Sequence, residues 1–358
     1  MCAEDVAHMG ITEVLRHAAR VYASYRRLVD TLKRERPALA VLIDFPDVNF
    51  RLAKHCRRLG IPVLWFVSPQ LWAWKRQRLR WVQERVDRML VIFPFEEAFY
   101  RARGVDAYFV GHPLAAMAMP METREEYAKR HGLDPAKQWI ALLPGSRKKE
   151  INANLGEMLQ TASDLELKIP CEYLVPVAST IDPEWVTKKI TLREWAGDKF
   201  SEGWLPKTVV VFDARAALFH SRAAVVASGT ATVQALAMGN PFVVVYRVSP
   251  LTYKIAKRLV RYPAEVPAEV DADGNLPIAM PNLIAGRRIV PELINDRFTA
   301  ENVAAALKPL LEDGPERAKM IADLTETRAK LGGQGSDPIA RVCDAAVELI
   351  QRRPTTEK

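Results

Sequence analysis

Short, nearly continuous apolar runs separated by helical or charged segments constrain this chain more than any other feature. They fall at Leu39 to Ile43, Val63 to Val67, Met89 to Phe93 and Ala107 to Val110. They resume at Ile140 to Leu143, Glu172 to Val177, Val209 to Phe212, Ala224 to Ala227 and Phe242 to Val245. A strand buried on both faces has no reason to alternate apolar with polar residues, and such strands alternating with helices form parallel sheets covered on both sides. The expected fold class is α/β, with two doubly wound, Rossmann-like domains. Residues Pro113 to Pro120, containing Met and Pro, interrupt the pattern and read as the link between them. The expected domains are 1–115 and 122–330, with 331–358 a carboxyl-terminal helix packing back on the first domain or on a partner protomer. Open α/β sheets bind ligands beyond the carboxyl ends of their strands, so two such domains are expected to face each other across a cleft and to join two substrates.

Between Leu15 and Lys33 the apolar residues Leu15, Ala18, Val21, Tyr22, Tyr25, Leu28 and Leu32 recur three and four apart, the spacing of an amphipathic helix. Helices are also expected from about Ala300 to Leu331 and Asp337 to Gln351, and a loop from Tyr262 to Pro281. With 358 residues, 49% hydrophobic and 26% charged, the chain can bury a large core. No run approaches ~18 apolar residues, and Met1 to Asp5 lack the features of a secretory signal, so a cytoplasmic location is expected. The net charge of +8 favours anionic partners; without an RNA- or DNA-binding motif, nucleic acid is not expected among them. The scattered Cys and His residues have no metal-ligand spacing, so neither metal nor cofactor is expected.

The chemistry concentrates at strand ends. Gly145-Ser146-Arg147 follows the run Trp139 to Pro144 and precedes a helical segment. A small-residue turn there exposes unpaired N–H groups at the positive end of a helix dipole, and Arg147 adds a bidentate donor suited to phosphate oxygens. Ser228-Gly229-Thr230 repeats the arrangement, and two such cradles suggest a diphosphate-bearing ligand. Gln234 lies one helical turn past Thr230 and should face the same ligand. Tyr246-Arg247, and Asn282 with Arg287 after the Pro-rich loop, should line the same crevice. In the first half, Asp44 follows the strand Leu39 to Ile43 and reads either as a general base or as a plain turn residue. Asp47 reads as the cap of a helix from Val48 to Arg57. Ser68 with Trp72 and Trp74, and His112 beside Gly111, stand at further strand ends. The indoles read as sugar or acyl contacts or as packing residues, and His112 as a cleft or a turn residue.

These motifs together resemble the lipid-A-disaccharide synthase family. The matching stretches run from Met9 to Leu15, Ile43 to Asn49, Ser68 to Trp74, Phe93 to Glu96, Val110 to Leu114, Leu142 to Arg147, Ala227 to Thr232, Tyr246 to Leu251 and Pro281 to Arg287. The resemblance implies a GT-B fold and an inverting, metal-independent glycosyltransferase. Its implied reaction moves 2,3-diacylglucosamine from UDP-2,3-diacylglucosamine to 2,3-diacylglucosamine 1-phosphate, giving a β-1,6 disaccharide and UDP. Asp44 then matches the base, with Asn49, Ser68, Trp72, Trp74 and His112 about the acceptor. Gly145, Ser146, Arg147, Ser228, Gly229, Thr230, Gln234, Tyr246, Arg247, Asn282 and Arg287 match the donor side. Met9, Ile11, Val14, Leu15, Ala18 and Tyr22 would lie near the acyl chains on an anionic membrane surface, making a peripheral inner-membrane protein, with a homodimer as a further possibility. Three departures accompany the match. The strand and Gly-rich turn with which the family opens are missing, so the first sheet is expected to lack a βα unit; Gln234 stands where Glu is usual, and Lys75 where Arg is usual. The alternatives are another UDP-sugar enzyme of this fold and an inactive remnant that binds UDP or lipid.

Overall fold

The computed structural model describes residues 11–166, 169–192, 206–249, 253, 257–258, 260–271, 274–332 and 337–352, with side chains from residue 21 onward except at 166. In chain order the elements are α1 (Ile11–Glu35), β1 (Ala40–Ile43), α2 (Pro46–Arg58), β2 (Val63–Phe66), α3 (Leu79–Arg85), β3 (Arg88–Val91), α4 (Pro94–Arg101), β4 (Ala107–Phe109) and α5 (Pro113–Ala116). Then come α6 (Arg124–His131), β5 (Gln138–Leu143), α7 (Lys148–Glu166), β6 (Cys171–Pro176), α8 (Pro183–Thr191), β7 (Thr208–Val211), α9 (Ala214–His220), β8 (Ala223–Ala227), α10 (Thr230–Met238) and β9 (Phe242–Tyr246). The chain continues through α11 (Met280–Ala285), β10 (Glu292–Ile294), α12 (Ala300–Leu311), α13 (Pro315–Ala329) and α14 (Pro338–Gln351). Two compact units result, one of Met1–Ala116, Arg258–Val266 and Leu331–Lys358, the other of Met117–Lys257 and Pro267–Lys330.

The first unit holds a parallel sheet in the order β1-β2-β3-β4. The expected double coverage holds for β2 and β3, buried at every position, and fails at the edge strands, at β1, where Val41 and Ile43 are exposed, and at β4, where Tyr108 is. Alternation of burial along β1 is what a strand covered on one face shows. Val342, Ala345, Ala346 and Leu349 of α14 pack against Leu64, Phe66, Leu90 and Val110. Arg88 ties this helix to the sheet, donating to Asp106 at 2.9 Å and to Glu348 at 2.5 Å.

The second unit holds a parallel sheet in the order β10-β9-β8-β5-β6-β7. One of its apolar clusters gathers Tyr127, Trp139, Leu174, Val211 and Ala217, all buried. Two expectations need correction here. The helix expected from Ala300 to Leu331 is two, α12 and α13, because Pro315 has no N–H to give and Gly314 before it is extended, at φ −159° and ψ 175°. The edge strand β10 was not anticipated, since three residues beginning with Glu292 carry no apolar run.

Candidate active site

The second sheet reverses its strand order at β5, flanked by β6 and β8. Loops leaving β5 and β8 therefore border the switch point at which open α/β sheets hold ligands. They are the Gly145–Arg147 and Ser228–Thr230 turns, opening α7 and α10. Gly145 has φ +131°, and a Cβ built there would lie 2.5 Å from Cβ and Oε2 of Glu150. Gly229 has φ +147° with open space around it. Ser146 N–H donates to Glu150 Oε2 at 2.9 Å and Arg147 Nη1 to Glu150 Oε1 at 3.2 Å. The first turn thus holds a carboxylate of this chain on its N–H and guanidinium donors. Tyr246, at the end of β9, is partly exposed; burial, and then the charge of Glu150, push its hydroxyl pKa up. Ser228 and Gln234 are half-buried and Thr230 is exposed.

Three residues expected in this crevice are committed elsewhere. Arg247 donates to Ala153 O, Glu157 and Phe298 O, and its guanidinium lies 4.6 Å from the Phe298 ring centroid. Asn282 is fully buried: its amide donates to Val290 O and Glu292, and its oxygen accepts from Ile289 and Val290 N–H. With both ends of the amide satisfied, it locks the start of β10 to α11. Arg287 pairs with Asp323 at 2.8 Å and Glu326 at 3.3 Å. Opposite charge from α13 already engages this guanidinium.

In the first unit, Asp44 and Phe45 both take left-handed backbone, at φ 46° and 42°. Side chains rarely adopt it, and such strain gathers at functional sites. Asn49 holds the turn, its amide donating to Ile43 O at 3.0 Å and to Asp44 O at 2.6 Å. It therefore supports Asp44 from behind rather than lining a cleft. The Asp44 side chain is exposed. Asp47 is not the helix cap: α2 begins at Pro46, two residues earlier than a cap at Asp47 allows, and Asp47 bonds Arg78 at 2.7 Å. That hydrogen bond holds its carboxyl below the ordinary range.

Ser68 and Trp72 are buried and share one partner, Glu96, whose Oε1 accepts from Ser68 Oγ at 2.9 Å and from Trp72 Nε1 at 3.1 Å. Glu96 Oε2 accepts the N–H of Phe93 at 3.2 Å, at the start of α4. Burial pushes its carboxyl up to about 7 despite these bonds. The packing role weighed for the indoles thus falls to Trp72, whereas Trp74 is 54% exposed with the Lys75 ammonium 4.1 Å from its ring centroid. His112 is a turn residue: it is buried, its Nδ1 accepts Leu114 N–H at 3.1 Å, and burial pushes it down to about 4. Glu96 and Glu150 escaped the sequence reading. The stretch Phe93 to Glu96 carries the family resemblance but no chemical signal of its own, and a Glu in a first helical turn is ordinary.

Tyr22, on α1, is 60% exposed, its ring centroid 6.5 Å from that of Tyr25. Met9 lies outside the described residues, as do the side chains of Ile11, Val14, Leu15 and Ala18. Among the described residues no helix is long and apolar enough to cross a membrane, and no three His, Cys, Asp or Glu side chains gather to hold a metal ion.

Residues 1–343 match the family model described as lipid-A-disaccharide synthetase. The lipid-A-disaccharide synthase of Acidobacterium capsulatum is 52% identical over 354 residues, covering 98% of this chain and 85% of that one. That of Koribacter versatilis is 45% identical, covering 98% and 86%. Among solved structures, the S. aureus MnaA–UDP complex overlays with a TM-score of 0.57 at 13% identity, covering 95% of this chain and 84% of that one. The calicheamicin glycosyltransferase CalG4 overlays at 0.54 with 16% identity, covering 98% and 85%. The fold is thus shared with GT-B glycosyltransferases.

Proposed function

The chain belongs to the lipid-A-disaccharide synthase family, and on that premise we propose that it transfers 2,3-diacylglucosamine from UDP-2,3-diacylglucosamine to 2,3-diacylglucosamine 1-phosphate. Asp44 takes the proton of the acceptor 6-hydroxyl. The oxygen attacks the donor anomeric carbon with inversion, forming the β-1,6 bond as the bond to UDP breaks. Arg147 and the N–H groups of the two turns stabilise the charge that develops on the leaving diphosphate, and Gln234 and Tyr246 contact the nucleoside or sugar.

The observation that carries this reading is the convergence of Ser146 N–H and the Arg147 guanidinium on one carboxylate, that of Glu150, at the switch point. The strained turn that displays Asp44 supports the assignment of the base. Both substrates carry acyl chains, so the protein works at an anionic membrane surface, with Tyr22 and the neighbouring cations of α1 against the lipid. A homodimer fits the exposed Ile339, Val347 and Ile350 on α14.

The test is UDP release by the purified chain in detergent, supplied with both lipids. Release that requires the acylated acceptor supports the synthase. UDP binding without turnover, with this chain and with one extended at its amino end, would replace it by the binding remnant, and turnover of a non-acylated UDP-sugar by another enzyme of this fold.

A further inference from the structure

The two phosphate turns occupy the carboxyl ends of β5 and β8. The opposite ends of the same strands border a cavity of about 660 Å³ in the second unit, lined by Gln138 at the start of β5, by His220, Ser221 and Arg222 before β8, and by Arg124 and Arg317. Six residues of strand separate the two ends of β5, a distance of about 20 Å. One molecule of ordinary size does not reach both.

The cavity wall is short of partners. Ser221 and His220 are 3% and 8% exposed, and among the described residues neither Ser221 Oγ nor His220 Nε2 has a hydrogen-bond partner; Gln138 Oε1 has none either. Buried polar atoms are almost always paired with protein, water or ligand. All three atoms lie sealed beneath the wall, out of reach of an occupant, so the side chains left to meet one are the arginines that line it.

The charge is equally uneven. Arg124 is held by the carbonyls of Pro135, His220 and Lys137 and stacks 3.6 Å from the Trp139 ring centroid. Arg317 is held by the carbonyls of Arg222 and Leu310. Neither forms an ion pair among the described residues, and burial lowers the pKa of both. Arg222 donates to Leu311 O and pairs with Asp313, a carboxylate 90% exposed. Each guanidinium has five N–H donors, so all three keep some to offer. Fixed, desolvated guanidinium groups are suited to phosphate.

We propose that this cavity is a second ligand site, which binds a phosphate monoester. Its phosphate rests on Arg124, Arg222 and Arg317. The site does not depend on the proposed transfer reaction, since it lies at the other end of the sheet from the turns.

The experiment titrates the full chain with glucose 1-phosphate and, separately, with AMP. Heat is measured alongside the ring resonances of His220 in histidine-labelled protein. Saturable binding at or below about 1 mM, with His220 shifting in step, is expected. The better probe tells whether the source is a sugar phosphate or a nucleotide. Arg222→Met should weaken binding about tenfold. Lys137→Met removes a half-buried lining cation that has no ion pair among the described residues, keeps the Arg222 bonds intact, and should weaken binding about threefold. Arg147→Ala should leave it unchanged. No saturable response, a response indifferent to both cavity variants, or one abolished by Arg147→Ala would overturn the proposal.

Discussion

Glu150 Oε2 accepts the backbone N–H of Ser146 at 2.9 Å, so the carboxylate lies inside the turn that Gly145 and Ser146 form. A ligand phosphate that uses the same N–H has to displace it. Glu150→Gln removes the competing charge and should tighten UDP binding about three- to tenfold, read by calorimetry. A tenfold weakening would mean instead that Glu150 contacts the ligand.

Gly145→Ala puts a methyl group 2.5 Å from Glu150 Cβ at a backbone with φ +131°. The strain should cost about 1 to 3 kcal/mol of stability and lower UDP affinity as well. A melting temperature and affinity equal to the parent's would show that the turn relaxes freely.

Arg147→Ala should weaken UDP binding by roughly 1.5 to 3 kcal/mol, the worth of a charged hydrogen bond. The side chain is largely exposed, so the fold should be untouched. Unchanged affinity would take the first turn out of the donor site.

Asp44→Asn should reduce turnover about 10²- to 10⁴-fold with UDP affinity nearly constant. The left-handed backbone tolerates Asn, so the turn should persist. A loss below about tenfold would exclude Asp44 as the base.

Glu96 binds its proton more tightly folded, at about 7, than the ordinary 4.5 of a free carboxyl. The folded state therefore holds the extra proton between those values, and stability should fall as pH rises from about 4.5 to 7, then level off. The full effect is on the order of 3 kcal/mol. Glu96→Gln keeps a partner for Ser68 and Trp72 and should flatten the profile. Denaturant midpoints across that range provide the check, and an unchanged slope would assign the pH dependence to other groups.

Much of the fold was legible along the chain. The runs beginning at Val63 and Phe242 start strands at those residues, because a doubly covered strand declares itself by local apolarity alone. The edges were harder to read. β1 is apolar throughout yet half exposed, and β10 has no run at all. The Gly145 and Ser228 turns were visible because glycine after a strand and before a helix has few other uses. Asn282 and Arg287 stood in an equally suggestive stretch, but hydrogen bonds to Glu292 and Asp323 spend them on structure.

The sequence by itself determined where the strands run, that they lie parallel, and which turns offer free N–H groups, since each follows from neighbours a few residues apart. Only the tertiary structure decided which polar side chains remain available to a ligand. Glu96 meets Ser68 across 28 positions and Arg88 meets Glu348 across 260. A buried donor or acceptor takes whatever partner the packed chain brings to it, and that partner is written nowhere near it in the sequence.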